Sequence, residues 1–133
     1  MRPLPRLFAI TTDTLCRAAD FGIRAAAIAA SGPAVALVVR APESTTAQHA
    51  AFVERVQALA RPPEAALFVH ARPDLARATL AAGIHLRQGD LSAQDARELH
   101  PGAWVGVSVH DLEEARRALD QGADYLVAGR GGR

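Results

Sequence analysis

The stretch Trp104–Gly129, WVGVSVHDLEEARRALDQGADYLVAG, decides how the whole chain is read. Successive side chains of a strand point to opposite faces, so Val105, Val107 and Val109 share one side while Gly106, Ser108 and His110 share the other. Asp111 can then cap a helix, and Glu114 three residues later completes a capping-box-like pattern, with Asp standing in for Ser or Thr. Leu112, Ala115, Ala118 and Leu119 form an apolar stripe, with Glu113, Arg116, Arg117 and Asp120 turned to water. Gly122 ends the helix, and Tyr125–Gly129 reads as a second strand. Strand, helix and strand in this order imply parallel strands joined by a right-handed crossover. The first strand closes on a hydroxyl and an imidazole where further valine would serve a core equally well. Polar chemistry is therefore expected at the end of that strand.

The same alternation runs through the rest of the chain. Strand candidates are Leu7–Thr12, Ala34–Val39, Ala65–His70, Gly83–Arg87, Val105–His110 and Tyr125–Gly129, by their length and their Val, Ile, Phe and Leu content. Between them lie the helical stretches Thr14–Ser31, Ser44–Ala60, Pro73–Ala82, Ser92–Leu99 and Asp111–Gln121. Each is followed by Gly or Pro punctuation, such as Gly32–Pro33 and Pro101–Gly102. The fold class is α/β. About six strands suit either an open doubly wound sheet or a (β/α) barrel lacking its end. Arg40, His70, Gln88 with Asp90, Ser108 with His110, and Arg130 all fall at or just after strand C-termini. These positions favour the barrel, whose active face is built from those loops. An open sheet also binds ligands there. No GxGxxG or GxxxxGK[ST] loop follows the first strand, which reads AITTDTLCRAADFG.

Bulk properties narrow the class further. The 133 residues make one domain. Half are apolar, yet no uninterrupted apolar run is long enough for a membrane span. The opening MRPLPRLFAITTD is a poor secretory signal and a good first strand. A formal charge of +1, with the basic residues dispersed, argues against a nucleic-acid surface. Cys16 is the single cysteine, so no intramolecular disulfide forms. A cytoplasmic protein is the simplest expectation. All 15 basic Lys/Arg-type side chains are arginines, and asparagine is absent too, so chemistry that needs either missing residue is closed to this chain.

In sequence order, LFAITTD, VHARPDLARA, AAGIHLRQGDLSAQDAREL and GVSVHDLEEARRALDQGADYLVAG resemble the corresponding segments of the thiamine phosphate synthase/TenI superfamily. The resemblance covers essentially the whole chain, and GxSVH…EA…GADY is its most specific part. It implies an incomplete TIM-type (β/α) barrel over residues 1–133, lacking the last two β/α units. It also implies thiamine biosynthesis: transfer of a hydroxymethylpyrimidine group from its diphosphate to a thiazole phosphate, with Mg²⁺. A TenI-like thiazole tautomerase is the alternative enzyme, and a non-catalytic remnant that binds a ligand or a protein partner is the alternative outside enzymes. The implied site residues are His110 and Ser108 as catalytic, and Arg40, His70, Arg72, Gln88, Ser108 and Arg130 against substrate or phosphate. Asp90 is the implied metal ligand.

The match is uneven at the site. The family's Q-x-R-x-K falls on Val38, Arg40 and Pro42, and its N-D pair on His70 and Ala71, while Arg87 and Gly89 also depart from its pattern. Ionising a diphosphate needs positive charge where negative charge develops. Arginine can bind phosphate bidentately, which offsets part of the missing lysine. Isomerisation asks for less: a phosphate anchor and a base that works near neutral pH, a role suited to histidine. The expected partners are a small phosphorylated thiazole or pyrimidine and a second copy of the chain, joined through open sheet edges. No nucleic acid or membrane partner is expected. The remaining expectations are bland: His85 a hydrogen-bonded core residue, His49 and His100 solvated, Cys16 core, and Asp13 a helix cap or a ligand.

Overall fold

The computed structural model describes residues 3–60 and 65–129. They fall into two compact units, one ending at His70 and the other beginning at Ala71.

The first unit runs β1 (Leu7–Ile10), α1 (Asp13–Arg17), α2 (Phe21–Ala29), β2 (Val35–Val39), α3 (Thr46–Ala60) and β3 (Ala66–His70). Strand β2 lies between β1 and β3 and is parallel to both, with Leu7 opposite Val35 and Ala36 opposite Ala66. Every residue of β2 and β3 is buried, as expected of continuous apolar strands in a parallel sheet covered on both faces. Helices α2 and α3 pack on β2 and on each other. Phe21, Ala25 and Ala29 form the buried face of α2.

The long helix expected over 14–31 is two helices. Thr12 caps α1 through Leu15 N, and the backbone turns extended at Ala18. The reason lies in what must be buried. Cys16 and Phe21 are both almost fully enclosed, but five residues apart they would sit about 140° from each other on one continuous helix. The break lets both face inward.

His49 corrects the expectation of a solvated side chain. It shares the buried face of α3 with Val53, Val56 and Ala60, and its Nε2 lies 3.1 Å from the Val39 carbonyl oxygen.

The second unit runs α4 (Pro73–Thr79), β4 (Gly83–Leu86), α5 (Ala93–Leu99), β5 (Trp104–Val109), α6 (Leu112–Asp120) and β6 (Tyr125–Ala128). Strand β5 is parallel to β4 on one side and β6 on the other. Val105, Val107 and Val109 are buried, as the alternation required. Helix α4 stops earlier than expected, because Leu80 turns into the left-handed region at φ 55° and closes it. His100 is also buried, with Nε2 2.7 Å from the Ala81 carbonyl oxygen. The stripe on α6 is narrower than its sequence suggests: Ala118 is buried, whereas Leu112 and Leu119 are 65% and 55% exposed. Among the described residues, no helix is long and apolar enough to cross a membrane.

Candidate functional site

In the second unit, strand register assembles a polar cluster. His85 of β4 pairs with Gly106 of β5, and Gly106 pairs with Tyr125 of β6. Asp124 secures that register: its carboxylate accepts from Val105 N at 2.8 Å and from Arg97 Nη1 at 3.0 Å. Its own backbone N–H donates to the Val105 carbonyl at 2.7 Å. Gly106 then has a specific reason to lack a side chain. A Cβ there would stand 1.9 Å from Cζ of Tyr125, because the ring lies across the glycine. Passing over it, the Tyr125 hydroxyl comes within 3.1 Å of His85 Nδ1. The opposite ring nitrogen, Nε2, lies 2.7 Å from Ser108 Oγ. Ser108 is two residues beyond Gly106, hence on the same face.

Burial sets the protonation of this cluster. Desolvation pushes the His85 pKa down from 6.5 to about 4, and the nearby Asp90 charge opposes that only partly. Burial also raises the pKa of the Tyr125 phenol, and the Asp124 charge acts in the same direction. At neutral pH the imidazole is neutral and the phenol keeps its proton. Beside the cluster, Gln88 Nε2 donates to the Ser108 carbonyl at 2.9 Å, bracing the loop after β4 against the end of β5.

His110 stands just past β5 and is partnered by Glu114. The Glu114 carboxylate accepts from His110 N at 2.7 Å and lies 3.2 Å from His110 Nδ1. Asp111 meanwhile accepts from Glu114 N at 2.8 Å. The capping box is thus displaced by one residue: Glu114 reaches back to His110 instead of Asp111, and orients the imidazole as it does so.

Asp90 is already occupied. It accepts from Arg87 N at 2.7 Å, from Arg87 Nε at 3.2 Å and, through its other oxygen, from Arg87 Nη2 at 3.1 Å. The position that the resemblance gives to a second carboxylate is Ala71, held at φ 64°, where Asn, Asp or Gly is more at home. Among the described residues, no three His, Cys, Asp or Glu side chains group as metal ligands. These residues do not fit a two-carboxylate Mg²⁺ site. A cleft beside Asp90 is lined by Arg87, Gln88, Glu114, Arg117 and Gln121.

The other expected positions are distributed between the units. In the first, Arg40 follows β2 and is exposed. Its backbone is clamped by Thr11, whose hydroxyl accepts from Arg40 N and donates to Arg40 O, both at 2.9 Å. Asp13 fixes the same loop, accepting from Ser44 Oγ at 2.6 Å and Glu43 N at 3.2 Å. The Ser44 hydroxyl and then the Glu43 amide hold its carboxyl below the usual range, against the effect of burial. His70 ends β3 and is buried. In the second unit, Arg72 donates to Asp74 at 3.0 Å. Arg130 lies outside the described residues.

His85 is the hydrogen-bonded core residue that the sequence led one to expect, and Tyr125 is the member of the cluster that the sequence did not single out. The signal for His85 was its parity in β4, which puts it on the same face as Gly83. Tyr125 gave no such signal, since its reach depends on an unoccupied glycine position in the neighbouring strand.

The alternating parallel strands and helices, with polar groups at the strand ends, define a protein of the α/β class. A family model described as thiamine monophosphate synthase matches residues 7–131, and the chain belongs to that family. It is 36% identical over 128 residues to the thiamine-phosphate synthase of Marinobacter nauticus, covering 95% of this chain and 57% of that protein. Against the thiamine-phosphate synthase of Thermus thermophilus the identity is 47% over 79 residues, 59% of this chain and 38% of the relative. The solved structure of a thiamine phosphate pyrophosphorylase from Pyrococcus furiosus superposes with a TM-score of 0.75 at 33% identity, covering 93% of this chain and 59% of that one. The fold is therefore that of an incomplete TIM-type barrel. The chain spans roughly 40 to 60% of the length of these relatives.

Proposed function

We propose that this chain serves thiamine biosynthesis by synthase-type chemistry, moving a hydroxymethylpyrimidine group from its diphosphate to a thiazole phosphate. In that transfer the bond from the pyrimidine methylene carbon to the diphosphate oxygen breaks, and its electron pair leaves with the diphosphate. The thiazole nitrogen lone pair forms the new C–N bond. The observation that carries the reading is the Ser108 hydroxyl, held by His85 at a strand end that Gln88 braces. Family membership supports it. Within the second unit, Ser108 and Gln88 would contact diphosphate, with charge from Arg72. His110 would position substrate. Because Asp90 is engaged by Arg87, no step is assigned to a metal. Phosphorylated substrates of this kind are retained inside cells, which favours a cytoplasmic setting.

Release of diphosphate from the pyrimidine substrate, followed by a coupled assay, tests the reading. Turnover is expected to be slow, because Pro42 and Ala71 replace a lysine and a carboxylate and no lysine exists elsewhere. Ser108→Ala should reduce it by a further tenfold or more, the loss of one hydrogen bond to a charged group. Undiminished turnover in Ser108→Ala would remove the basis of the proposal.

The His110–Glu114 pair favours a second reading, thiazole isomerisation, in which an oriented imidazole moves a proton. His110→Ala should abolish isomerisation and spare phosphate binding.

A further inference from the structure

We propose that Tyr125 and His85 are positioning residues that fix the Ser108 hydroxyl as a hydrogen-bond donor, so that this serine offers its proton to an anion and does not act as a nucleophile. The inference rests on the phosphate-binding role given to Ser108 above.

The chain of contacts allows two orders. In one, the phenol donates to His85 Nδ1, His85 Nε2–H donates to Ser108 Oγ, and the serine proton is free for a ligand. In the other, Nδ1–H donates to the phenol and the serine proton is consumed by Nε2. A neutral imidazole carries one donor and one acceptor, so the two ends are coupled. A phenol is a far stronger acid than an aliphatic alcohol, and its oxygen is the poorer acceptor. The first order therefore pairs the best donor, Tyr125, with the best acceptor, the bare imidazole nitrogen. It leaves the better oxygen acceptor, Ser108, to the Nε2–H. The separations suit both links, 3.1 Å from the phenol to Nδ1 and 2.7 Å from Nε2 to Ser108. Burial keeps both groups in the required protonation state, because it suppresses imidazolium and phenolate alike. Gly106 has a part in this, since any side chain there would displace the ring that starts the relay.

The orientation of the serine proton then selects ligands. An oxygen without protons, as on phosphate or diphosphate, is accepted. A ligand that presents its own donor to Ser108 competes with the Nε2–H and is disfavoured.

Nitrogen NMR of the full chain with ¹⁵N-labelled histidines, read alongside calorimetric titration with inorganic diphosphate, tests this. His85 is assigned by the signal that His85→Gln removes. The expected native result is a bare Nδ1 and a protonated Nε2, unchanged from pH 5.5 to 8.5. Tyr125→Phe keeps the ring but removes the donor, so His85 should move toward the Nδ1–H form and diphosphate should bind about tenfold more weakly. His85→Gln retains a donor toward Ser108 and should bind diphosphate better than His85→Leu. A native Nδ1–H tautomer, or a Tyr125→Phe variant with unchanged tautomer and affinity, overturns the relay. A native chain with the expected tautomer and no affinity for diphosphate refutes the phosphate-binding reading and leaves the relay standing.

Discussion

A neutral imidazole enclosed by its own fold makes stability depend on pH in a definite direction. The folded pKa of His85, about 4, lies below its ordinary value of 6.5, so the unfolded chain binds the extra proton between these limits. The stabilisation is complete above pH 6.5 and is lost as the pH falls from there toward 4. At about 1.4 kcal/mol per pKa unit, the loss is at most about 3 kcal/mol. Urea unfolding at pH 7.5 and 4.5 should show it, and His85→Gln should flatten the difference. A native chain equally stable at both values would mean that His85 is hydrated. Asp13 and Asp74 act in a lower window. Their carboxyls are held below 3.8, by Ser44 and Arg72 respectively, so what they contribute is present above that value and disappears in stronger acid.

At the scale of the element, β5 and α6 carry most of what the site needs. Gly106 gives β5 the gap through which Tyr125 reaches His85. Gly106→Ala forces the ring aside and should cost about 1–3 kcal/mol, as overpacking does. Because it also breaks the relay, the NMR signature of His85 should change with it; a stable variant with an unaltered imidazole would show that the ring is not confined there. Helix α6 begins at the Asp111 cap, whose carboxylate satisfies Glu114 N. Asp111→Ala should destabilise the chain by about 1 kcal/mol, measured by thermal unfolding. It should also loosen Glu114 and with it the orientation of His110. Splitting α1 from α2 serves the first unit similarly: the break buries Cys16 together with Phe21 and leaves Asp13 free to pin the loop that follows Arg40.

For the molecule as a whole, the outer strands of the two units predict association. In the first unit, among the described residues, β1 pairs with β2 alone, and Leu7 and Ile10 are 63% and 58% exposed. In the second, among the described residues, β6 pairs with β5 alone, and Val127 is 49% exposed. Exposed apolar strands of this kind pair readily with another chain. A second copy is the occupant expected in a pure sample. Size-exclusion chromatography with light scattering should therefore give a dimer or larger species at micromolar concentration. A monomer, with amides of both strands protected from exchange, would contradict this.

Local pattern was enough for the order of strands and helices, for the inward face of β5 and for the family, because each depends on periodicity, punctuation or a short motif. The six strand positions agree with the structure to within two residues at either end. The placement of Ser108 and His110 at the end of β5 was legible for the same reason, since alternation assigns them to one face. What periodicity cannot report is which partner a side chain meets, since partners are chosen by register between strands and by how helices pack. Only the tertiary structure set Tyr125 across Gly106 and against His85. It turned His49 and His100 inward onto backbone carbonyls and closed Asp90 around Arg87. In each of these cases burial raises the cost of an unpaired polar group, and the packed neighbours determine where that group finds its hydrogen bond.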